Sequence, residues 1–215
     1  MWAFFNAKII IVYNTRHMDK PHTFIFVGRS GAGKGTQAQL LKEYLKDHSQ
    51  AGEYSFVMGD VLRSFMKDTG YAQEVIRKTL NEGKLVPDAI SGSMFVSTLL
   101  DNLKQEDDLY IDGIPRSVVQ ADIIISMLEF YNRTNTFIVN IEISPAEAEK
   151  RMLLRNRPDD TKESIASRFA FYEEHVVAAI AHLKEKSGAK YIDINGERSV
   201  EEIHADLIAQ LEPML

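Results

Sequence analysis

The chain has 215 residues, which is enough for one sizeable α/β domain. Its 31 acidic residues outnumber its 25 basic ones, and the net charge of −6 argues against a nucleic-acid-binding domain, because such domains are usually strongly basic. The absence of cysteine excludes disulfides and cysteine–zinc sites and fits a reducing cytoplasm. No stretch has the ~18 uninterrupted apolar residues of a membrane helix, so we expect no membrane partner. We also expect a cytoplasmic protein and a monomer.

Residues 1–21 are predicted to be an N-terminal extension. Asn6 and Lys8 interrupt its apolar run, no basic region precedes it and no small-residue cleavage site follows, so a signal peptide is not expected. Two interpretations stay open. The segment is an edge strand or loose tail, or it lies ahead of a natural start at Met18. We favour the second, because residues 18–22 lead directly into the first predicted strand.

Strand and helix signals alternate along the rest of the chain. Runs of β-branched and aromatic residues predict strands at 23–27, 54–58, 109–113, 136–143 and 190–194. Apolar periodicity predicts helices near 37–45, 59–66, 71–83, 89–103, 117–132, 145–155, 161–186 and 199–211. Asp60 and Ser144 are expected N-caps, and Gly83 an expected C-cap. This alternation predicts an α/β fold with a doubly wound, five-stranded parallel sheet.

A glycine-rich turn joins the first predicted strand to the first helix. Residues 28–36 read GRSGAGKGT, in which Gly28 and the pair Gly33 and Lys34 have the spacing of a phosphate-binding loop. Glycines let several N–H groups converge on one anion, the helix N-terminus adds partial positive charge, and Lys34 adds a full charge. The general motif has Ser or Thr directly after the lysine, whereas here Gly35 precedes Thr36.

Other chemically active residues follow the ends of the predicted strands, where doubly wound sheets bind ligands. Asp112, Gly113, Ser144 and Gly196 all lie at such ends. Arginine suits phosphoryl transfer because its planar guanidinium binds phosphate oxygens bidentately and stays charged. The six histidines show no metal-ligand spacing. The arginines expected near this rim are Arg63, Arg116, Arg151, Arg155, Arg157 and Arg168.

In these motifs the sequence resembles the adenylate kinases, within the nucleoside monophosphate kinases, over nearly all of residues 22–211. The similar stretches are 28–37, 59–63, 83–88, 112–116 with Gln120, and 157–160 with Arg168. The resemblance implies a P-loop NTPase-like nucleoside monophosphate kinase fold. It implies a single kinase domain over 22–215, with a monophosphate-binding segment near 58–88 and a vestigial lid near 155–160.

The resemblance also implies Mg²⁺-dependent phosphoryl transfer between ATP and AMP, and it assigns the site residues. Asp112 would order the water shell of Mg²⁺. The catalytic residues would be Lys34, Arg116, Arg157 and Arg168. ATP would contact Gly31, Ala32, Gly33, Lys34, Gly35, Thr36, Arg151, Arg155 and Gly196. AMP would contact Met58, Arg63, Leu85, Val86, Gly113, Arg116, Gln120, Arg157 and Arg168.

Two departures from the family pattern leave alternatives open. Only Asn156 separates Arg155 from Arg157, where adenylate kinases insert a lid that closes over the donor. The chain is therefore either an active kinase, which its retained cations favour, or a nucleotide-binding protein with slow turnover. Met58 stands where threonine is usual, and a thioether cannot donate a hydrogen bond to a base. Gln120, whose amide can pair with adenine, favours AMP over UMP or CMP as acceptor.

Overall fold

The computed structural model describes residues 20–46, 51–82, 84–155 and 160–215. The predictions for the chain before Lys20, for Gly83 as a helix cap, and for Arg157 lie outside these residues. So does most of the segment interpreted as a vestigial lid. The division of the chain into an extension and one kinase domain stays a prediction.

Five parallel strands form one sheet, which confirms the predicted fold class. The strands lie side by side in the order β2-β3-β1-β4-β5, and each neighbouring pair is parallel. β1 is buried at every residue because it has a strand on each side and helices over both faces. The strands are β1 Thr23–Val27, β2 Gly52–Val57, β3 Asp107–Asp112, β4 Thr136–Glu142 and β5 Lys190–Asn195.

The helices lie close to the predicted ranges. A π-helical stretch, Tyr172–Val176, joins α7 to α8, so the helix expected over 161–186 is continuous but contains one wider turn. In the described part of the chain, no helix is long and apolar enough to cross a membrane. The helices are α1 Lys34–Lys46, α2 Met58–Phe65, α3 Tyr71–Asn81, α4 Asp88–Asn102, α5 Val118–Phe130, α6 Pro145–Arg155, α7 Lys162–Phe171, α8 Val177–Lys186 and α9 Val200–Leu211.

Each face of the sheet carries its own apolar core, because successive side chains of a strand point to opposite faces. Phe24 of β1 packs with α1 and α9 on one face. Ile25 packs with α4, α5 and α8 on the other, in a cluster that also contains Ile138 of β4. With both faces covered by helices, the loops at the carboxyl ends of the strands are left to form the functional surface.

The start of α2 differs from the prediction. Met58 begins the helix rather than ending β2, and no side chain caps the helix at Val57. Asp60 is therefore not an N-cap: it lies in the first helical turn and forms an ion pair with Arg63, three residues later. A carboxylate at this place still stabilises the helix, because it faces the positive end of the helix dipole.

The start of α6 agrees with the prediction. The hydroxyl of Ser144 accepts a hydrogen bond from the backbone N–H of Glu147 at 3.3 Å, as expected of an N-cap. The backbone N–H of Ser144 donates to the carboxylate of Glu197 at 2.9 Å. The carboxylate of Glu147 forms an ion pair with Arg151, one helical turn further along α6.

We expect Ile138→Ala to lower the free energy of unfolding by about 3 kcal/mol, because it leaves a cavity in a core that cannot fully close around it. Ile138 is completely buried in the middle of the sheet. Urea denaturation monitored by circular dichroism measures the change. Val119→Ala, on an exposed part of α5, is the control and should change the value by no more than about 0.5 kcal/mol. Equal effects would contradict the placement of the core.

Candidate active site

A cleft of about 1510 Å³ opens at the carboxyl edge of the sheet. β1 has β3 on one side and β4 on the other. The connection after β1 runs to the β2 side of the sheet, whereas the connection after β3 crosses to β4 on the opposite side of β1. This is the switch point at which doubly wound sheets bind ligands. The glycine-rich loop and the start of α1 line the cleft, together with residues of α2, α6 and α7 and the turn after β3.

Three glycines shape the loop between β1 and α1. Gly28, Gly31 and Gly33 have φ angles of +128°, +88° and +87°, a region that side chains rarely adopt. A Cβ on Gly28 would lie 2.3 Å from the carbonyl oxygen of Ile141, and one on Gly31 would lie 2.8 Å from that of Ala148. The loop is therefore pressed against β4 and α6, which fixes where α1 begins.

Lys34 is the first residue of α1. Its Nζ donates to the carbonyl oxygens of Gly28 at 3.0 Å and Arg29 at 2.9 Å. Burial lowers the pKa of Lys34 below its usual value, and the nearby guanidinium of Arg116 lowers it further, while the carboxylate of Asp112 raises it. An anion in the cleft would therefore stabilise the charged form of this ammonium.

Arg116 lines the same cleft as the loop and Lys34. Its Nε donates to the carbonyl oxygen of Gly113 at 3.1 Å. Burial lowers the pKa of its guanidinium, Arg168 lowers it further, and Asp112 raises it. Lys34, Arg116 and Arg168 also line a small cavity of about 60 Å³. An acidic chain has thus concentrated positive charge at one point, as phosphate binding requires.

One buried carboxylate binds two arginines, Arg155 at the end of α6 and Arg168 in α7. Asp160 accepts two hydrogen bonds from Arg155, at 3.0 and 2.9 Å, and one from Arg168 at 3.1 Å. The side chain of Asp160 is 0% exposed, so both ion pairs are largely shielded from water. The sequence prediction did not include this role, although Asp160 belongs to the motif that pointed to the arginines.

Gln120, predicted to read the acceptor base, is 3% exposed and bonded within the protein. Its Nε2 donates to Asp88 at 2.9 Å and to Ser91 at 3.0 Å. Its Oε1 accepts from the backbone N–H of Arg116 at 2.8 Å. In this state Gln120 joins α4 to α5 and fixes the backbone of Arg116.

Asp112 fits a Mg²⁺ site of the kind that the substrate completes. Its Oδ2 lies 3.7 Å from the position that a Cβ on Gly35 would occupy, so the carboxylate stands beside the start of α1. Within the described ranges, no three His, Cys, Asp or Glu side chains cluster as a metal site. A single carboxylate suits Mg²⁺, which keeps several waters and is commonly bound through substrate phosphates.

The cleft brings together the predicted residues of both substrate sites, except Gly196 and the undescribed Arg157. The backbone N–H of Gly196 donates to the carbonyl oxygen of Glu142 at 2.8 Å, and Gly196 packs against the end of β4. The next turn, with Arg198 and Ser199, lines the cleft in its place. The predicted residues on the cleft are Gly31, Ala32, Gly33, Lys34, Gly35, Thr36, Met58, Arg63, Leu85, Val86, Asp112, Gly113, Arg116, Gln120, Arg151, Arg155 and Arg168.

We expect Asp160→Ala to lower the free energy of unfolding by about 3 kcal/mol, because it leaves two partly buried guanidinium groups without their carboxylate. Glu147→Ala is the matched control, since Glu147 is also paired with an arginine but is 26% exposed. It should cost less than about 1 kcal/mol. Chemical denaturation of both variants makes the comparison. Similar costs would show that Asp160 does not hold the arginines as described.

The sequence profile of the adenylate kinase family matches residues 26–188. The chain is 34% identical over 187 residues to the adenylate kinase of Corynebacterium glutamicum, covering 87% of this chain and 97% of that protein. It is 32% identical over 188 residues to adenylate kinase 1 of Nostoc sp., with the same coverage. It is 33% identical over 184 residues to the adenylate kinase of Parabacteroides distasonis, covering 83% and 92%. The loop, the cleft and these similarities agree: the chain belongs to the adenylate kinase family.

Proposed function

We propose that the protein catalyses the reversible transfer of the terminal phosphoryl group of ATP to AMP, which yields two ADP. One observation carries this proposal. The same cleft contains a phosphate-binding loop and, across from Lys34, an arginine-lined region formed by Arg63 and Arg116. A donor phosphate and an acceptor phosphate would therefore meet in one cation-rich space, as phosphoryl transfer needs.

The donor would bind along the loop between β1 and α1. Lys34 would exchange the carbonyl oxygens of Gly28 and Arg29 for phosphate oxygens, which carry more negative charge. Arg151 and Arg155 are four residues apart on α6 and line the same side of the cleft. They would contact the adenine and the phosphates of ATP, respectively.

The acceptor would bind between α2 and the turn after β3. Arg63 and Arg116 would hold its phosphate, and the backbone of Arg116 is already fixed by Gln120. Met58, Leu85 and Val86 give this part of the cleft an apolar lining that suits a planar base. Arg168, together with Arg157, would stabilise the charge of the group in transfer.

The reaction needs no general base, because a phosphate oxygen of AMP is already a nucleophile. The residues act by positioning two phosphates in line and by stabilising the charge that spreads over their oxygens. Mg²⁺, held through water by Asp112, would neutralise part of the phosphate charge.

We expect the purified protein to form ADP from ATP and AMP with Mg²⁺ in a coupled assay, and to lose this activity when EDTA is added. Parallel assays with UMP, CMP and GMP should give values of kcat/KM at least ~10-fold lower than AMP, since loss of the base contacts costs about 1–3 kcal/mol. A preference for UMP or CMP would instead identify a pyrimidine acceptor, in line with the buried thioether at Met58. Tight ATP binding without ADP formation would identify a nucleotide-binding protein with slow turnover.

We expect Lys34→Met to lower kcat/KM by roughly 10²–10³-fold, because it removes a preorganised cation from the transferring phosphate. The methionine keeps most of the side-chain volume, so the thermal unfolding temperature should stay close to that of the wild type. Lys46→Met, in the last turn of the same helix and exposed, is the control and should leave the rate unchanged. An active Lys34→Met variant would show that the donor phosphates bind elsewhere.

A further inference from the structure

Arg29, the second residue of the phosphate-binding loop, turns its side chain away from the cleft toward the helix that follows α7. Its Nη2 donates to a carboxylate oxygen of Glu173. Its guanidinium carbon lies 4.5 Å from the centroid of the Tyr172 ring. The side chain is only 17% exposed, and Nη1 is buried with no hydrogen-bond partner among the described residues. The contacts with Tyr172 and Glu173 are therefore what offsets the burial of this cation.

Both partners of Arg29 lie in the π-helical stretch Tyr172–Val176. A π-helical turn inside an α-helix is uncommon and is frequently found at functional sites. Tyr172 and Glu173 begin this stretch one helical turn after Arg168, which is four residues before Tyr172. The backbone N–H of Tyr172 donates to the carbonyl oxygen of Arg168. A displacement of Tyr172 would therefore shift the backbone of Arg168.

The other end of Arg29 is tied to Lys34. The carbonyl oxygen of Arg29 accepts from Lys34 Nζ at 2.9 Å and from the backbone N–H of Ala32 at 3.2 Å. Lys34, Arg168 and Tyr172 line the same small cavity. A continuous series of contacts therefore runs from Lys34 through Arg29 and Tyr172 to Arg168, around the place where the two phosphates would meet.

We propose that Arg29 is a positioning residue for phosphoryl transfer: through Tyr172 and Glu173 it holds α7 at a fixed distance from the phosphate-binding loop. We call this set of contacts the Arg29 clasp. It sets the separation between Lys34, on the donor side, and Arg168, which would stabilise the group in transfer. This inference rests on the function proposed above. The side chain of Arg29 does not line the cleft, so the clasp acts on the alignment of the two phosphate sites and not on the affinity of either.

Arginine suits this task better than lysine. A planar guanidinium can stack on an aromatic ring and donate to a carboxylate at the same time, whereas an ammonium is a compact point charge. The contact with Glu173 alone would hold little, because that carboxylate is 57% exposed. The ring of Tyr172 is half-buried, so its contact with the guanidinium is the stronger part of the clasp.

The first experiment compares Arg29→Met with the wild type. Misalignment of reacting groups can cost up to 10²-fold, so we expect kcat to fall by ~10-fold while the KM values for ATP and AMP change by less than ~3-fold. Arg29→Lys keeps the charge but loses the planar group that stacks on the ring, so its kcat should be only ~3-fold lower than that of the wild type. A merely structural role would lower the fraction of folded protein without separating kcat from KM in this way. An unchanged kcat in Arg29→Met would overturn the clasp.

The second experiment needs no turnover. A bisubstrate analogue, with two adenosines joined by five phosphates, spans both sites and therefore reports on their separation. Arg29→Met should bind it at least ~10-fold more weakly than the wild type while binding ATP within ~3-fold, because only the analogue requires both sites in register. Isothermal titration calorimetry measures both affinities. Equal losses for the analogue and ATP would show that Arg29 serves the donor site alone and would overturn the clasp.

A double-mutant cycle identifies the contact through which Arg29 acts. If the clasp runs through the ring, Tyr172→Leu should lower kcat to a similar extent, and the double variant should be no slower than the slower single variant. The matched control is Lys190→Met, which removes a cation 4.8 Å from the ring of Phe137, a residue of the core on the opposite face of the sheet from Tyr172. It should leave kcat unchanged alone and add nothing to Arg29→Met. Fully additive effects of Arg29→Met and Tyr172→Leu would overturn the clasp.

The outcomes separate this inference from the proposed function. A wild type that forms ADP, with an Arg29→Met variant that matches it, overturns the clasp and leaves the function standing. A wild type that binds the analogue but forms no ADP overturns the function. The difference in analogue affinity between the wild type and Arg29→Met then still decides the clasp. A wild type that binds neither ATP nor the analogue overturns both.

Discussion

The active cleft depends on the close approach of the phosphate-binding loop to β4. Only a residue without a Cβ fits at Gly28, where a side-chain atom would lie 2.3 Å from the carbonyl oxygen of Ile141. That approach places Lys34 at the start of α1, and the parallel sheet places the turn with Asp112 and Arg116 beside it. The geometry of the charges therefore follows from backbone packing rather than from the charges themselves, which would repel one another.

The repulsion is managed by internal partners. Lys34 donates to two loop carbonyls, Arg63 is paired with Asp60, and Arg155 and Arg168 share Asp160. Arg116 donates to the carbonyl oxygen of Gly113. Among the described residues, each cation that we assign to a phosphate thus has a protein acceptor. Binding of nucleotides is an exchange of acceptors, in which the oxygens of a phosphate chain replace carbonyls and carboxylates. Such an exchange favours ligands with several charged oxygens and disfavours simple monovalent anions.

The sequence predicted the parts of this arrangement that are encoded locally. The strands, the glycine loop and the arginines at the strand ends follow from short patterns, and the parallel sheet brings those ends together. Contacts between distant segments carry no such pattern: Arg29 and Glu173 are 144 residues apart, and Gln120 and Asp88 are 32 apart. The role of Asp160 also depends on tertiary structure, because its side chain is paired only once α6 and α7 meet. At Met58, the helix begins one residue earlier than expected, so Asp60 lies in the first turn, where it pairs with Arg63 three residues later.

Asp160 connects the stability of the fold to the chemistry of the cleft. A buried carboxylate between two guanidinium groups stabilises the end of α6 against α7, but it also competes with phosphate for Arg155 and Arg168. Phosphate can win part of that competition, because each guanidinium has five N–H donors and Asp160 occupies only two of those on Arg155. Arg155 can therefore keep its carboxylate and still donate to a substrate. The shared carboxylate thus holds the guanidinium groups of Arg155 and Arg168 at the cleft while leaving donors of Arg155 for a phosphate.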